Sequence, residues 1–175
     1  AGRSAIRASY PISEAPSDIR RSEEAAEVLR ARDDRARVIA LGGDLFFAGS
    51  ESVVREISRL ERTVELVVLD VRRVDDVSGI AITMLRRLRD QFAEHDRALV
   101  LVDTAGIVSA RLEGVPSFPT RRAAVEHCEE ELLRRYGAHL PVRSAVAVED
   151  STALASLAPE DVAALVARME SRSYD

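Results

Sequence analysis

Leu66-Val67-Val68-Leu69-Asp70-Val71-Arg72-Arg73-Val74-Asp75-Asp76-Val77-Ser78-Gly79 is the stretch whose reading decides the fold. Its first four residues are aliphatic with no polar alternate, as a strand covered on both faces requires. Asp70 is expected to end that strand. Asp76-Val77-Ser78-Gly79 then leads into a helix, because Ala81, Met84, Leu85, Leu88 and Phe92 recur at helical spacing. A strand, a short acidic loop and a helix in that order form the repeating unit of an α/β sheet.

The same unit recurs on both sides. Upstream, Val38-Ile39-Ala40-Leu41 and Leu45-Phe46-Phe47 flank Gly42-Gly43 and read as two short strands joined by a tight glycine turn. Ser50 stands where a cap would precede a helix carrying Val53, Val54, Ile57 and Leu60. Downstream, Ala98 to Val102 is a second buried strand, closed by Asp103. Ile107 to Leu112 predicts a short helix and Val115 to Phe118 a short edge strand. Thr120 opens a last helix with Val125, Cys128, Leu132 and Leu133 on one side. The order predicts an α/β fold: one mixed sheet of about five strands with a parallel centre, flanked by about four helices.

Three regions follow. Residues 1–35 read as a connector with a short, solvated helix between Ser17 and Arg32. Residues 36–140 hold the sheet domain. Residues 141–175 begin as a linker and end in a helix from Pro159 through Met169, with proline at the favoured first position. The chain opens Ala1-Gly2 without a methionine and stops at Asp175 after a helical pattern, so a piece of a longer protein is expected.

Composition narrows the function. A net charge of −5 argues against nucleic acid, whose phosphates need a concentrated basic face. All 25 basic residues are arginine and there is no asparagine, which reads as codon bias. No apolar run approaches the ~20 residues that cross a bilayer, so no direct membrane insertion is expected. Cys128 is the single cysteine; it excludes an internal disulfide and fits a reducing cytoplasm.

From Arg37 to Leu133 the arrangement resembles the STAS domain, shared by anti-sigma-factor antagonists and the cytoplasmic tails of SulP anion transporters. Leu41-Gly42-Gly43-Asp44-Leu45-Phe46-Phe47, the stretch from Val67 to Gly79, and Ala98 to Asp103 carry the resemblance. In bacterial antagonists the second hydroxyl residue of an Asp-Ser-Ser/Thr-Gly loop is phosphorylated by a partner kinase. That residue corresponds to Ser78, while Val77 stands where the family has the first hydroxyl. Arg20 to Glu24, and Phe118 to Leu133, look like the flanks of STAS in bacterial multidomain proteins. Leu157 to Leu165 resembles the opening helix of a cyclic-nucleotide-binding domain, without that domain's barrel or phosphate cassette. Glutaminases and SulP transporters both combine these pieces, and Gly43 to Arg55 looks closer to the glutaminase type. The resemblance implies a non-catalytic regulatory module of a larger glutaminase. Its alternatives are the tail of a SulP transporter and a free antagonist switched at Ser78.

Ser78 is the sharpest candidate site, flanked by Asp75, Asp76, Val77 and Gly79 as an interaction loop. A helix start offers free N–H groups to an anion. A phosphoryl group would add about −1.5 to −2 charges there. The simpler reading is helix capping, which stabilises by about 1 kcal/mol and needs no partner. Asp70, Asp75, Asp76 and Asp103 fall near the carboxyl ends of strands, where α/β folds place ligands. With no nucleophile or base at readable spacing, they read as solvated caps. His95, His127 and His139 show no ligand spacing, and no Gly-x-x-x-x-Gly-Lys-Ser/Thr loop is present. The sequence therefore offers no catalytic residue, metal site or cofactor. The partner it points to is another protein, another domain of the parent chain, or a second copy of itself.

Overall fold

In a computed structural model, residues 4–141 are described. The chain divides into two units, Ala1–Ala138 and His139–Asp175. The linker and final helix read over 141–175 lie outside the described residues, apart from Pro141.

The elements run β1 (Ile6–Pro11), α1 (Glu23–Ala31), β2 (Ala36–Leu45), α2 (Phe47–Arg59), β3 (Leu66–Val77), α3 (Gly79–Glu94), β4 (Ala98–Val102), β5 (Ser117–Phe118) and α4 (Arg121–Tyr136). The sheet order is β1-β2-β3-β4-β5. β1 is antiparallel to β2, and the remaining neighbours are parallel. This is the expected α/β class, a five-stranded mixed sheet with helices on both faces.

Strand alternation builds two cores. Ile39, Leu41, Val67, Leu69, Leu99 and Leu101 face α2 and α3, packing on Val53, Ile57, Leu85 and Phe92. Val38, Leu66, Val68, Val100 and Val102 face α4, packing on Val125, Cys128 and Leu132, with Leu29 of α1 at the rim. Each fully buried Leu, Ile or Val contributes roughly 1.5–3 kcal/mol. The N-terminal segment is tied to α4 by a buried pair: Arg21 donates to Glu129 at 3.1 Å, both side chains under a tenth exposed. Ser17 donates to the same carboxylate through its backbone N–H at 3.2 Å and through its hydroxyl.

Five local readings are corrected. Val38–Leu41 and Leu45–Phe47 are not two strands: β2 runs unbroken through Gly42 and Gly43, and Phe46 and Phe47 start α2. The outer strand is β1, from the segment read as connector; it is half exposed, so its alternation is faint. Ser50 is no cap. It lies buried in the first turn of α2, its N–H donating to the Phe46 carbonyl at 2.9 Å. β3 does not stop at Asp70 but continues to Val77.

That continuation has an unusual period. Ala40 pairs with Asp70 and Gly42 with Arg73, so β3 carries one extra residue there; a second extra residue separates the pairs Gly43–Val74 and Asp44–Asp76. These are β-bulges. They bring Val71, Val74 and Val77, three residues apart, into the same core, and leave Arg72-Arg73 and Asp75-Asp76 exposed. Finally, 107–112 forms turns rather than a helix. The Asp103 carboxylate accepts from the N–H groups of Gly106, Val108 and Ser109 at 2.8–3.0 Å and fixes the loop in that shape.

Candidate functional site

The site grows from the end of β3. Ser78 leaves the strand with its N–H donating to the Leu45 carbonyl at 3.0 Å, then caps α3. Its hydroxyl accepts from the Ala81 N–H at 3.2 Å, and its backbone is extended (φ −81°, ψ 161°), as an N-cap requires. Asp76 accepts from the Val77 N–H at 2.9 Å and stiffens the approach. Val77 is buried, its side chain in the α2/α3 core, so this position presents no group to a partner. Asp75 is exposed, and Gly79 is exposed at the head of α3.

Arg111, from the loop after β4, closes this corner. Its Nη1 donates to the Val77 carbonyl at 2.9 Å, and a Cβ at Gly79 would lie 3.7 Å from its Nη2. Arg86 of α3 donates to the Arg111 carbonyl at 2.9 Å and holds the loop. The Ser78 hydroxyl thus sits between two fields. The helix N-terminus and Arg111 favour an anion, while Asp75 and Asp76 disfavour it.

Exposed apolar side chains share this end of the sheet with the charged Ser78 corner. Phe46, Phe47, Ile80 and Ile107 are 40–58% exposed, and they lie at the start of α2, the start of α3 and the loop after β4. All of these lie at the carboxyl edge of the parallel strands, the edge where open α/β sheets meet their ligands. Two of only four phenylalanines face solvent here, in a chain whose core holds few aromatics. Large exposed apolar groups gathered at one edge mark an interaction surface.

The other candidates disperse. Asp70 pairs with Arg72 within β3 at 2.7 Å, and Asp103 is spent on backbone N–H groups, so the four aspartates do not gather. Among the described residues no group of His, Cys, Asp and Glu could hold a metal ion. Burial pushes the Cys128 thiol up to about 12, which removes it as a thiolate nucleophile near neutrality. His127 stacks against Phe118 with ring centroids 5.1 Å apart. Sequence reasoning placed Ser78 and Asp76 but missed Arg111, Phe46, Phe47, Ile80 and Ile107. Only the double phenylalanine, set after a glycine pair, carried any local signal.

The chain is similar to several known proteins. Glutaminase 1 of Bradyrhizobium diazoefficiens is 25% identical over 182 residues, a match covering 98% of this chain and 29% of that protein. The chain thus spans less than a third of the length of this curated relative. Among solved structures, the anti-sigma factor antagonist SpoIIAA in its unphosphorylated form is 15% identical with a TM-score of 0.46, covering 60% of this chain and 92% of that one. The SulP transporter STAS domain from Vibrio cholerae is 20% identical with a TM-score of 0.44, covering 65% and 99%. No helix among the described residues is long and apolar enough to cross a membrane. The family model of the STAS domain matches residues 28–118, from the last turns of α1 through β5, and the chain belongs to the STAS domain family.

Proposed function

We propose that this chain is a regulatory, protein-binding module without chemistry of its own, working in the cytoplasm as part of a larger bacterial glutaminase. The observation that carries the reading is the set of exposed apolar side chains, Phe46, Phe47, Ile80 and Ile107, at the same sheet edge as the Ser78 cap. The similarity to a glutaminase over nearly the whole chain favours that parent over the two alternatives. In this reading the sheet domain from β1 through α4 is the docking module, the residues before β1 lead from the upstream enzyme domain, and 141–175 lead into a cyclic-nucleotide-binding domain. The partner is then another domain of the parent or a second copy of the chain.

Ser78 supplies a switch. A phosphoryl group there would be held by the α3 N-terminus and Arg111, and would place a dianion at the same edge as the exposed apolar side chains. Desolvating it against a partner would weaken docking. The half-buried serine next to the Arg111-bound Val77 equally suits a free antagonist released by phosphorylation, which is the second reading.

The parent open reading frame separates the settings. A serine-dependent amidohydrolase domain upstream supports the glutaminase, whereas upstream apolar helices would transfer the module to a SulP transporter. For the docking face, Phe47→Glu and Ile80→Glu variants of the parent should retain their thermal stability while losing partner or domain association at least tenfold. Unchanged association in both variants would retire this surface as the interface.

A further inference from the structure

A cleft of about 390 Å³ opens on the opposite, α4-covered face of the sheet, lined among others by Arg7, Tyr10, Asp70, Arg72, Arg73 and Arg121. A second cavity of about 570 Å³ adjoins it, sharing Arg72 and Arg121 and adding Thr120 and Arg122. Five guanidinium groups therefore line one continuous surface of a protein whose net charge is −5.

Three features show that this surface is built rather than incidental. The first β3 bulge brings consecutive residues Arg72 and Arg73 to one cleft, which plain strand alternation would send to opposite faces. Gly42 leaves room for Arg7 to lie across β2: a Cβ there would stand 2.9 Å from Arg7 Nε and 3.1 Å from its Cγ. Arg121 and Arg122 occupy the first turn of α4, whose first turn holds no acidic residue. Positive charge at that end opposes the helix dipole, a placement that folding alone does not favour.

Three of the five charges are also left without a carboxylate among the described residues. Arg72 is neutralised by Asp70 through two bonds of 2.7 and 2.9 Å. Arg122 pairs with Asp18 at 3.0 Å. Among the described residues Arg7 donates only to the Ser4 carbonyl, Arg121 donates only to the Tyr10 hydroxyl, and Arg73 has no polar partner. Three guanidinium forks without a carboxylate thus converge on one cleft. Their planar, paired donors match the oxygen edges of phosphate and carboxylate.

We propose that this cleft binds a small, multiply charged oxyanion, with two or more phosphate or carboxylate groups bridging Arg7, Arg73 and Arg121. The cleft shares no lining residue with the Ser78 surface and does not depend on the docking reading.

The test is calorimetric titration of the chain with inorganic pyrophosphate and, separately, with citrate, at a fixed ionic strength of about 150 mM. Saturable one-to-one binding of either probe is expected; pyrophosphate alone assigns phosphate, and citrate alone assigns carboxylate. Arg73→Gln and Arg121→Gln should each weaken it at least tenfold, while Phe47→Glu leaves it unchanged. Unliganded Arg121→Gln should melt no lower than the parent, because a like charge leaves the positive end of α4. No saturation by about 10 mM of either probe, binding unaltered by both glutamine variants, or equal competition by chloride would overturn the proposal.

Discussion

Gly42 and Gly43 are neighbours in one strand, yet replacing each by alanine should have opposite consequences. Gly43 has φ +79°, in the left-handed region, and a Cβ there would meet Arg7 Nη2 at 3.2 Å. An L-residue held in that conformation costs roughly 1–2 kcal/mol. Gly42 shows no such dihedral, and its added methyl meets only the Arg7 side chain, which is exposed and can swing aside. There alanine removes freedom from the unfolded chain, a gain of about 0.4–1 kcal/mol, set against the displaced arginine. The two variants should therefore differ by about 2 kcal/mol, or about 4–8 °C in Tm. Urea unfolding followed by circular dichroism, with linear extrapolation, measures the gap directly. Gly42→Ala should also weaken pyrophosphate binding, whereas its fold stays intact. Equal losses in the two variants would refute the claim that the backbone angle selects Gly43. A loss above about 1.5 kcal/mol in Gly42→Ala would refute the claim that Arg7 can move.

Two further outcomes follow from the caps and charges. Ser78→Ala should cost about 1 kcal/mol in chemical unfolding, since it frees the Ala81 N–H at the head of α3; a neutral result would show that the serine is kept for another reason. Glu131 is held down to about 2, chiefly by its hydrogen bond to Arg134 and also by Arg135. Its folded value lies below the ordinary 4.5, so the stability it adds is present above pH 4.5 and disappears as pH falls through about 2. Glu131→Gln should flatten the acid limb of the stability curve in that window, measured by thermal melts from pH 6 downward (about the carboxylate range).

What could be read from sequence was what repeats. Leu66–Leu69 and Ala98–Val102 were legible as buried strands because both faces are apolar. α3 showed its face through Ala81, Leu85, Leu88 and Phe92, and the caps Ser78 and Thr120 marked their helix starts correctly. Met84 is only half buried; Ile82 takes the core position instead. The second half of β3 escaped because valines three apart fit neither a strand period of two nor a helical one, and bulges reconcile them only against β2. Loop 104–114 escaped because Asp103 dictates it by bonds reaching up to six residues ahead. Of the candidate site, Ser78 and Asp76 were legible as local caps. Arg111 and the exposed apolar side chains come from two helix starts and one loop that only the sheet brings to one edge. The arginine cleft had no sequence signature: Arg7, Arg73 and Arg121 meet through a glycine gap, a bulge and a helix end.

The doubly bulged strand has one more consequence. β4 pairs with β3 only from Leu66 to Asp70, so Val71 to Val77 has a paired neighbour on the β2 side alone. An unpaired strand edge is an invitation to edge-to-edge aggregation. Here the edge is interrupted twice, twisted at each interruption, and studded with Arg72, Arg73, Asp75 and Asp76, while Arg111 already takes the Val77 carbonyl. A foreign strand would find no flat run of free backbone to extend. The irregularity that hid this segment from the sequence pattern is also what guards the sheet against self-association through its inner edge.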